Sequence, residues 1–373
     1  MYNVRNQQID FDYSPQYIIP SVHYGKLQRS ILYPGDLLMN IVGPPLGKLA
    51  IIPDSLPESN TNQAAVLIRP FLYKGLINKY LFYYLEEMTE INSIATKGSA
   101  GQVNISLTQS QLMRIPLPPL EEQRKIVESI EKWIGLVDNI ANGVKSILDN
   151  IENAKAKILE LAIHGKLIPQ DPSDEPAIEL LRRINPAFKP SDNLHYGERL
   201  PNGWTCGLFG DLNQHRNKSE DPLASPNEEY ELYSVPIYET GMPEFLHGKE
   251  IGSTKQIVDK GDVLLCKINP HLNRSWVVFH YRPELKCIAS SEWLIFANEA
   301  VLPDFARHFF MSPAFKDLMM SNVSGVGGSL IRARASAVNS YPIWIPPINE
   351  QARIVQAVHQ LNTTIDSITS ILD

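Results

Sequence analysis

Apolar positions in two stretches of this chain step four, three, four, three. From Ile126 the series runs through Ile130, Trp133, Val137, Ile140, Val144, Ile147, Ile151, Ala154, Ile158 and Leu161. From Ile354 it runs through Val358, Leu361, Ile365, Ile368 and Leu372. A 3.5-residue apolar period held over several heptads predicts coiled-coil helices, and here it occurs twice. Each series opens with the same text. Ile115-Pro-Leu-Pro-Pro-Leu-Glu-Glu-Gln-Arg-Lys-Ile-Val127 is echoed by Ile343-Trp-Ile-Pro-Pro-Ile-Asn-Glu-Gln-Ala-Arg-Ile-Val355. Proline suits the first helical turn, and the glutamates just inside it complement the helix dipole. The first helix is expected from Leu120 to His164, with Gly165 as its stop. Gly135 and Gly143 fall off its seam.

Ahead of each seam lies a mixed module. The first carries strand-like runs at Gly35–Val42 and Ala64–Arg69, then a helical segment at Leu76–Met88. Gly261–Ile268, Glu292–Phe296 and Pro303–Phe315 are the counterparts. A Gly-Asp pair before each leading run reads as a turn delivering a buried strand. Glycine-rich loops follow at Lys97–Asn104 and Ser324–Ser329. The expected fold class is α+β, with two modules separated by two long helices in an antiparallel coiled coil. The expected divisions are a first module over 1–117, a central helix over 118–165, and a linker with a short helix (Ala177–Ile184) over 166–199. A second module over 200–345 and a distal helix over 346–373 complete the chain. The repeat is uneven. By analogy the first module lacks roughly its first 27 residues, and the second helix stops about twenty residues short of the first.

Composition narrows the function. Hydrophobic residues make up 43% and charged residues 20%, and the formal net charge is −7. That balance argues against nonspecific coating of nucleic acid but leaves room for a local reader, because charge distribution matters more than its sum. Two kinds of segment lack Asp and Glu, once per repeat: 37–53 with 263–283, and 91–120 with 318–349. Absence of acids suits a surface facing a polyanion. Buried strands with flanking loops give the same pattern. No apolar run reaches the ~20 residues of a membrane span. The first residues lack a secretory h-region, and three widely spaced cysteines suit a reduced, cytoplasmic setting.

Catalytic signatures are missing. Gly43-Pro-Pro-Leu-Gly47-Lys48 is one residue short of a P-loop and lacks its Ser/Thr. No Gly-x-Gly-x-x-Gly, His-Glu-x-x-His or Asn/Asp-Pro-Pro-aromatic sequence occurs. No catalytic residue, metal ligand or cofactor site is expected.

The residues that carry the repeat also carry a family resemblance. Both Pro-Pro-x-x-Glu-Gln-x-x-Ile-Val starts, both Gly-Asp turns, Leu200-Pro-Asn-Gly-Trp204 and the helix exit Ala162–Pro172 resemble type I restriction–modification specificity subunits. The resemblance implies a non-catalytic subunit whose two target-recognition domains each read half of a split, asymmetric DNA site. It implies that the paired helices set the spacing and dock two methyltransferase (modification) subunits, which carry S-adenosylmethionine, and that restriction subunits can join. Base reading needs Arg or Lys toward guanine and Asn or Gln toward adenine. The candidates are Asn40, Lys48, Lys97, Ser99, Gln102 and Asn104 in the first module. In the second they are Lys267, Asn269, His271, Asn273, Arg274, Arg332 and Arg334. The second reading of the same text is an inactive or partial cassette, a coiled-coil pairing module that needs another chain.

Overall fold

In the computed structural model, residues 4–5, 8–10, 18–43, 46–87, 96–97, 103–192, 199–324 and 331–372 are described. They form two compact units, 1–143 and 144–373.

The first unit is organised by strand β1 (Leu37–Asn40), flanked by β2 (Leu49–Ile51) and β3 (Ala65–Ile68) in the order β2–β1–β3. Both pairings are antiparallel, with Leu38 opposite Ala50 on one side and Leu67 on the other. Every residue of β1 is buried, which is why it reads as a continuous apolar run and not an alternating one. Helix α1 (Lys74–Glu87) places Tyr80, Leu81 and Leu85 in the same core as Leu37, Met39 and Leu49.

A left-handed glycine, Gly35 at φ +77°, turns the chain into β1. Asp36 beside it is fully buried. Its carboxylate accepts the Tyr33 N–H at 2.7 Å, the Arg69 Nε–H at 2.8 Å and a second Arg69 contact through Nη2, and Lys74 Nζ lies 3.3 Å away. Burial alone would raise the Asp36 pKa, but the Arg69 guanidinium and the Tyr33 amide outweigh it and hold it below the usual carboxylate range. Asn78, also buried, donates to the Gly35 carbonyl at 2.7 Å and ties α1 to the turn.

Helix α2 (Leu120–Ile163) has 44 residues, about 66 Å at 1.5 Å per residue. In the first unit Val127 is buried in the core, while Trp133, Val137 and Ile140 are 64%, 62% and 67% exposed. The helix closes with a Schellman pattern. Gly165 sits at φ +63°, and the Lys166 amide donates to the Leu161 carbonyl at 2.8 Å. Helix α3 (Ala177–Ile184) follows within the expected bounds.

The second unit repeats the plan. Strand β4 (Thr205–Leu208) opens it, and β5 (Val263–Cys266) is the buried central strand, between β6 (Ser275–Val277) and β7 (Trp293–Phe296). Gly261 (φ +91°) and buried Asp262 make the entering turn, and Asp262 accepts the Asp259 N–H at 2.9 Å. Its facing group is His215 Nδ1 at 3.2 Å, where the first unit uses an arginine. The expected single helix over Pro303–Phe315 is two helices: α4 (Pro303–Phe310) and α5 (Pro313–Ser321). Ser312 caps α5 by accepting the Phe315 amide, and Pro313 at its first turn has no N–H to continue α4.

Strand β8 (Pro342–Ile345) pairs antiparallel with β4, Trp344 opposite Cys206, and so joins the two ends of the module. Helix α6 (Ile348–Leu372) departs from that seam. The repeated Glu-Gln pair holds the departure in place. Trp204 Nε1 donates to Glu350 at 3.0 Å, and Gln351 donates to the Ala300 and Pro346 carbonyls while accepting the Leu302 amide. Gln123 donates likewise to the Pro118 carbonyl at 2.8 Å. Within this unit α6 runs antiparallel to the end of α2. The His164 ring meets Trp344 near the start of α6, while Lys155 pairs with Asp366 farther along, at 2.7 Å. Burial fades in the same direction, from Ile354 and Val358 at 0% to Leu361 at 41% and Ile368 at 48%.

Removing Arg69 strands a buried carboxylate, a change that costs roughly 3–5 kcal/mol in a fully buried pair. The Arg69 side chain is 35% exposed, so solvent screening reduces this to about 2–3 kcal/mol for Arg69→Met, read as a lower denaturant midpoint. Asp36 has a depressed folded pKa, so its contribution is complete above its unfolded value near 4 and disappears as pH falls through the folded one. The Met variant should lose that acid-sensitive part of its stability.

Candidate nucleic-acid interface

Each central strand runs into a loop, and the loop is bridged to the strand leading out of the glycine-rich segment. In the first unit Val42 bridges Asn104 antiparallel, and the Ile105 amide donates to Ile41 at 2.9 Å. In the second, Ile268 bridges Arg332, and the Ala333 amide donates to Lys267 at 2.8 Å. The two acid-free segments of each repeat are therefore neighbours in space.

The candidate residues fall into distinct roles. Asn40 is 2% exposed and accepts the Lys48 amide at 2.6 Å, closing the loop after β1. Lys48 is half-buried beside it, and Asn104 sits at the bridge. Lys97 lies on a two-residue strand, Thr96–Lys97, whose side chains are not described, and Ser99 and Gln102 lie outside the described residues.

In the second unit Asn269 and Asn273 bracket the turn Pro270–Leu272, both in the left-handed region at φ +48° and +50°. Asn269 exchanges hydrogen bonds with Ile331: its amide donates to the Ile331 carbonyl at 2.7 Å, and its Oδ1 accepts the Ile331 amide at 3.2 Å. Asn273 donates to the Met311 carbonyl at 2.6 Å. Arg274 donates to the Ile268 carbonyl at 3.1 Å, and Lys267 Nζ to the Ser291 carbonyl at 2.6 Å. These four hold the loop. His271, Arg332 and Arg334 are exposed at its surface.

One residue outside the expected set enters the cluster. Glu292, just before β7, accepts from Arg332 Nε at 3.2 Å and from Nη2 at 3.1 Å, and its carbonyl takes the Lys267 amide at 3.0 Å. Its hydrogen bonds push the Arg332 pKa upward. A surface free of acids in sequence thus contains one in space. The pairing of Cys266 with Trp293 sets this up, and it was not readable before the register of β5 and β7 was known.

Other polar clusters have structural explanations. Glu231, His280 and Cys287 offer ligand atoms within 4.8 Å of one another. The buried Glu231 carboxylate already accepts the Tyr233 hydroxyl at 2.7 Å and the Tyr281 and Arg282 amides at 3.0 Å each, anchoring the turn after β6. Burial, with Glu231 adding to it, raises the Cys287 thiol to about 12, and burial raises Cys206 to about 11. Both therefore stay protonated near neutral pH and are poor nucleophiles. Among the described residues, no helix is long and apolar enough to cross a membrane.

Two sheet-and-loop modules thus carry polar, amide-rich loops at matching bridge positions. Residues 19–148 match the type I restriction modification DNA specificity domain. The EcoAI specificity subunit of Escherichia coli is 27% identical over 278 residues, covering 66% of this chain and 46% of the relative. The EcoEI specificity subunit, also of Escherichia coli, is 28% identical over 279 residues, with the same coverage. The chain thus spans about half the length of these curated relatives. The crystal structure of the HsdS subunit from Thermoanaerobacter tengcongensis superposes with a TM-score of 0.50 at 16% identity, covering 92% of this chain and 77% of that one. Over these stretches the chain is similar to the specificity subunits of type I restriction–modification systems.

Asn269→Ala removes a side-chain bond to Ile331 and places alanine at positive φ. We expect a loss of about 1–3 kcal/mol from the unpaired group and backbone strain together. Faster hydrogen exchange at the Ile331 amide is the measurement, and unchanged protection there would remove Asn269 from the loop anchor.

Proposed function

We propose that this chain is the non-catalytic DNA-reading subunit of a type I restriction–modification complex, acting in the cytoplasm. The observation that carries this reading is the recurrence of one loop arrangement: a buried central strand bridged to a second loop, in both units. Each module presents its own polar side chains there, so each reads a different half-site. Asn104 and Arg332 occupy equivalent bridge positions and differ in the base they suit. The chain itself needs no cofactor; S-adenosylmethionine belongs to the two adenine-modifying subunits that dock on its helices, and restriction subunits join the same assembly.

Spacing follows from helix geometry. Two readers on one face of a duplex must sit about one turn, ~34 Å, or a multiple of it apart. Four residues inserted into α2 add about 6 Å and roughly 40° of rotation. Single-molecule methylation mapping of DNA from cells carrying this chain with its modification subunits should reveal a split adenine-containing motif, with the insertion widening its gap. A gap that keeps its old length would defeat the spacer role. Arg332→Ala combined with Arg334→Ala should weaken DNA binding by the assembled complex at least tenfold and flatten its salt dependence.

A second reading has its own observation. The exposed seam residues Trp133, Val137 and Ile140, with Ile147 at 41%, favour a pairing module completed by another chain. Sedimentation of the purified chain decides between them. A monomer that still yields a methylated motif with its modification subunits excludes the pairing module.

A further inference from the structure

Resting on the DNA-reading role above, we propose that Glu292 is a positioning residue that presents Arg332 to a guanine base, making this pair a specificity determinant of the second module. Arg332 is fixed at both levels. Its backbone lies between two neighbours, bridged to Ile268 on one side and paired with Ser324 on the other. Its side chain is held by Glu292 through Nε and Nη2, the lateral edge of the guanidinium. Among the described residues the end-on edge, Nη1 with the second Nη2 hydrogen, makes no further hydrogen bond, and the side chain is 46% exposed. Two parallel donors on one planar edge match guanine O6 and N7 in the major groove.

The carboxylate itself separates base reading from phosphate binding. A phosphate contact gains from uncompensated positive charge, and Glu292 cancels that charge and repels the backbone. The same carboxylate benefits a base reader, because it fixes the rotamer of a long side chain before binding and so lowers the ordering cost of the bidentate contact. The first module has Asn104 at the matching bridge, so the device belongs to the second half-site.

The test uses this chain assembled with its modification subunits and duplexes that vary one base pair of the mapped site at a time. Glu292→Gln should reduce the preference for one G·C pair at least tenfold, with affinity for noncognate DNA maintained or raised by the lost negative charge. Arg332→Lys keeps the charge and loses the planar fork. It should lose the same G·C preference, roughly 5- to 150-fold, while noncognate affinity holds. Retained noncognate affinity also certifies that the variant complex is folded. If Glu292→Gln strengthens binding to every duplex equally and preserves every preference, Glu292 is a repulsive charge and the proposal fails. If Arg332→Lys keeps the G·C preference, Arg332 is a phosphate contact and the proposal also fails. A wild-type complex with no sequence preference would overturn the DNA-reading role itself, and the pair with it.

Discussion

The buried carboxylate at the entrance to each central strand is the constraint on which both modules depend. A strand buried on both faces must enter the core through a turn whose backbone polar groups have partners, since an unpaired group there costs about as much as a lost hydrogen bond. Asp36 and Asp262 supply that partner by accepting amides three residues upstream, at Tyr33 and Asp259. A buried charge then demands compensation. The first unit answers with Arg69 and Lys74; in the second, His215 Nδ1 lies 3.2 Å from the Asp262 carboxylate. Once the strand is fixed, the loop beyond it is fixed too, and the bridges at Val42 and Ile268 inherit that rigidity.

The repeated helix start shows the same economy. Its Gln side chain, Gln123 or Gln351, turns back to donate to the carbonyl of the first proline of the pair, Pro118 or Pro346, just ahead of the helix. What looked like a helix signal is equally a splice between a sheet edge and a helix. In the second unit the splice is buried, with Glu350 and Gln351 at 1% and 0% exposure. Burial raises the Glu350 pKa, and the Trp204 indole N–H only partly offsets it.

Much of the architecture was legible in the chain because it follows from periodicity and punctuation. Heptad stepping marked α2 and α6, Gly165 marked the stop, and paired Gly-Asp turns marked β1 and β5. The break between α4 and α5 was obscured by an apolar run through Phe310 and Phe315, although Ser312-Pro313 is itself a helix-start signal. The candidate interface is less legible. Asn269 and Asn273 have the side chains of adenine readers, but their left-handed backbone and their bonds to Ile331 and Met311 give them a structural task. Residue type alone does not separate a loop anchor from a base reader; only the destination of each hydrogen bond does.

The net charge of −7 and the Arg332–Glu292 pair express one principle. A protein that bound DNA by accumulated positive charge would hold any sequence, since counterion release is blind to bases. An acidic chain with local cations binds weakly by default, and its affinity must come from directional contacts made in register. Each cation neutralised by a carboxylate shifts the balance further toward such contacts. Glu292 at the centre of a basic loop is thus consistent with specificity in a way that another lysine would not be. In the proposed role it reduces attraction to every duplex and fixes the geometry that rewards one base pair.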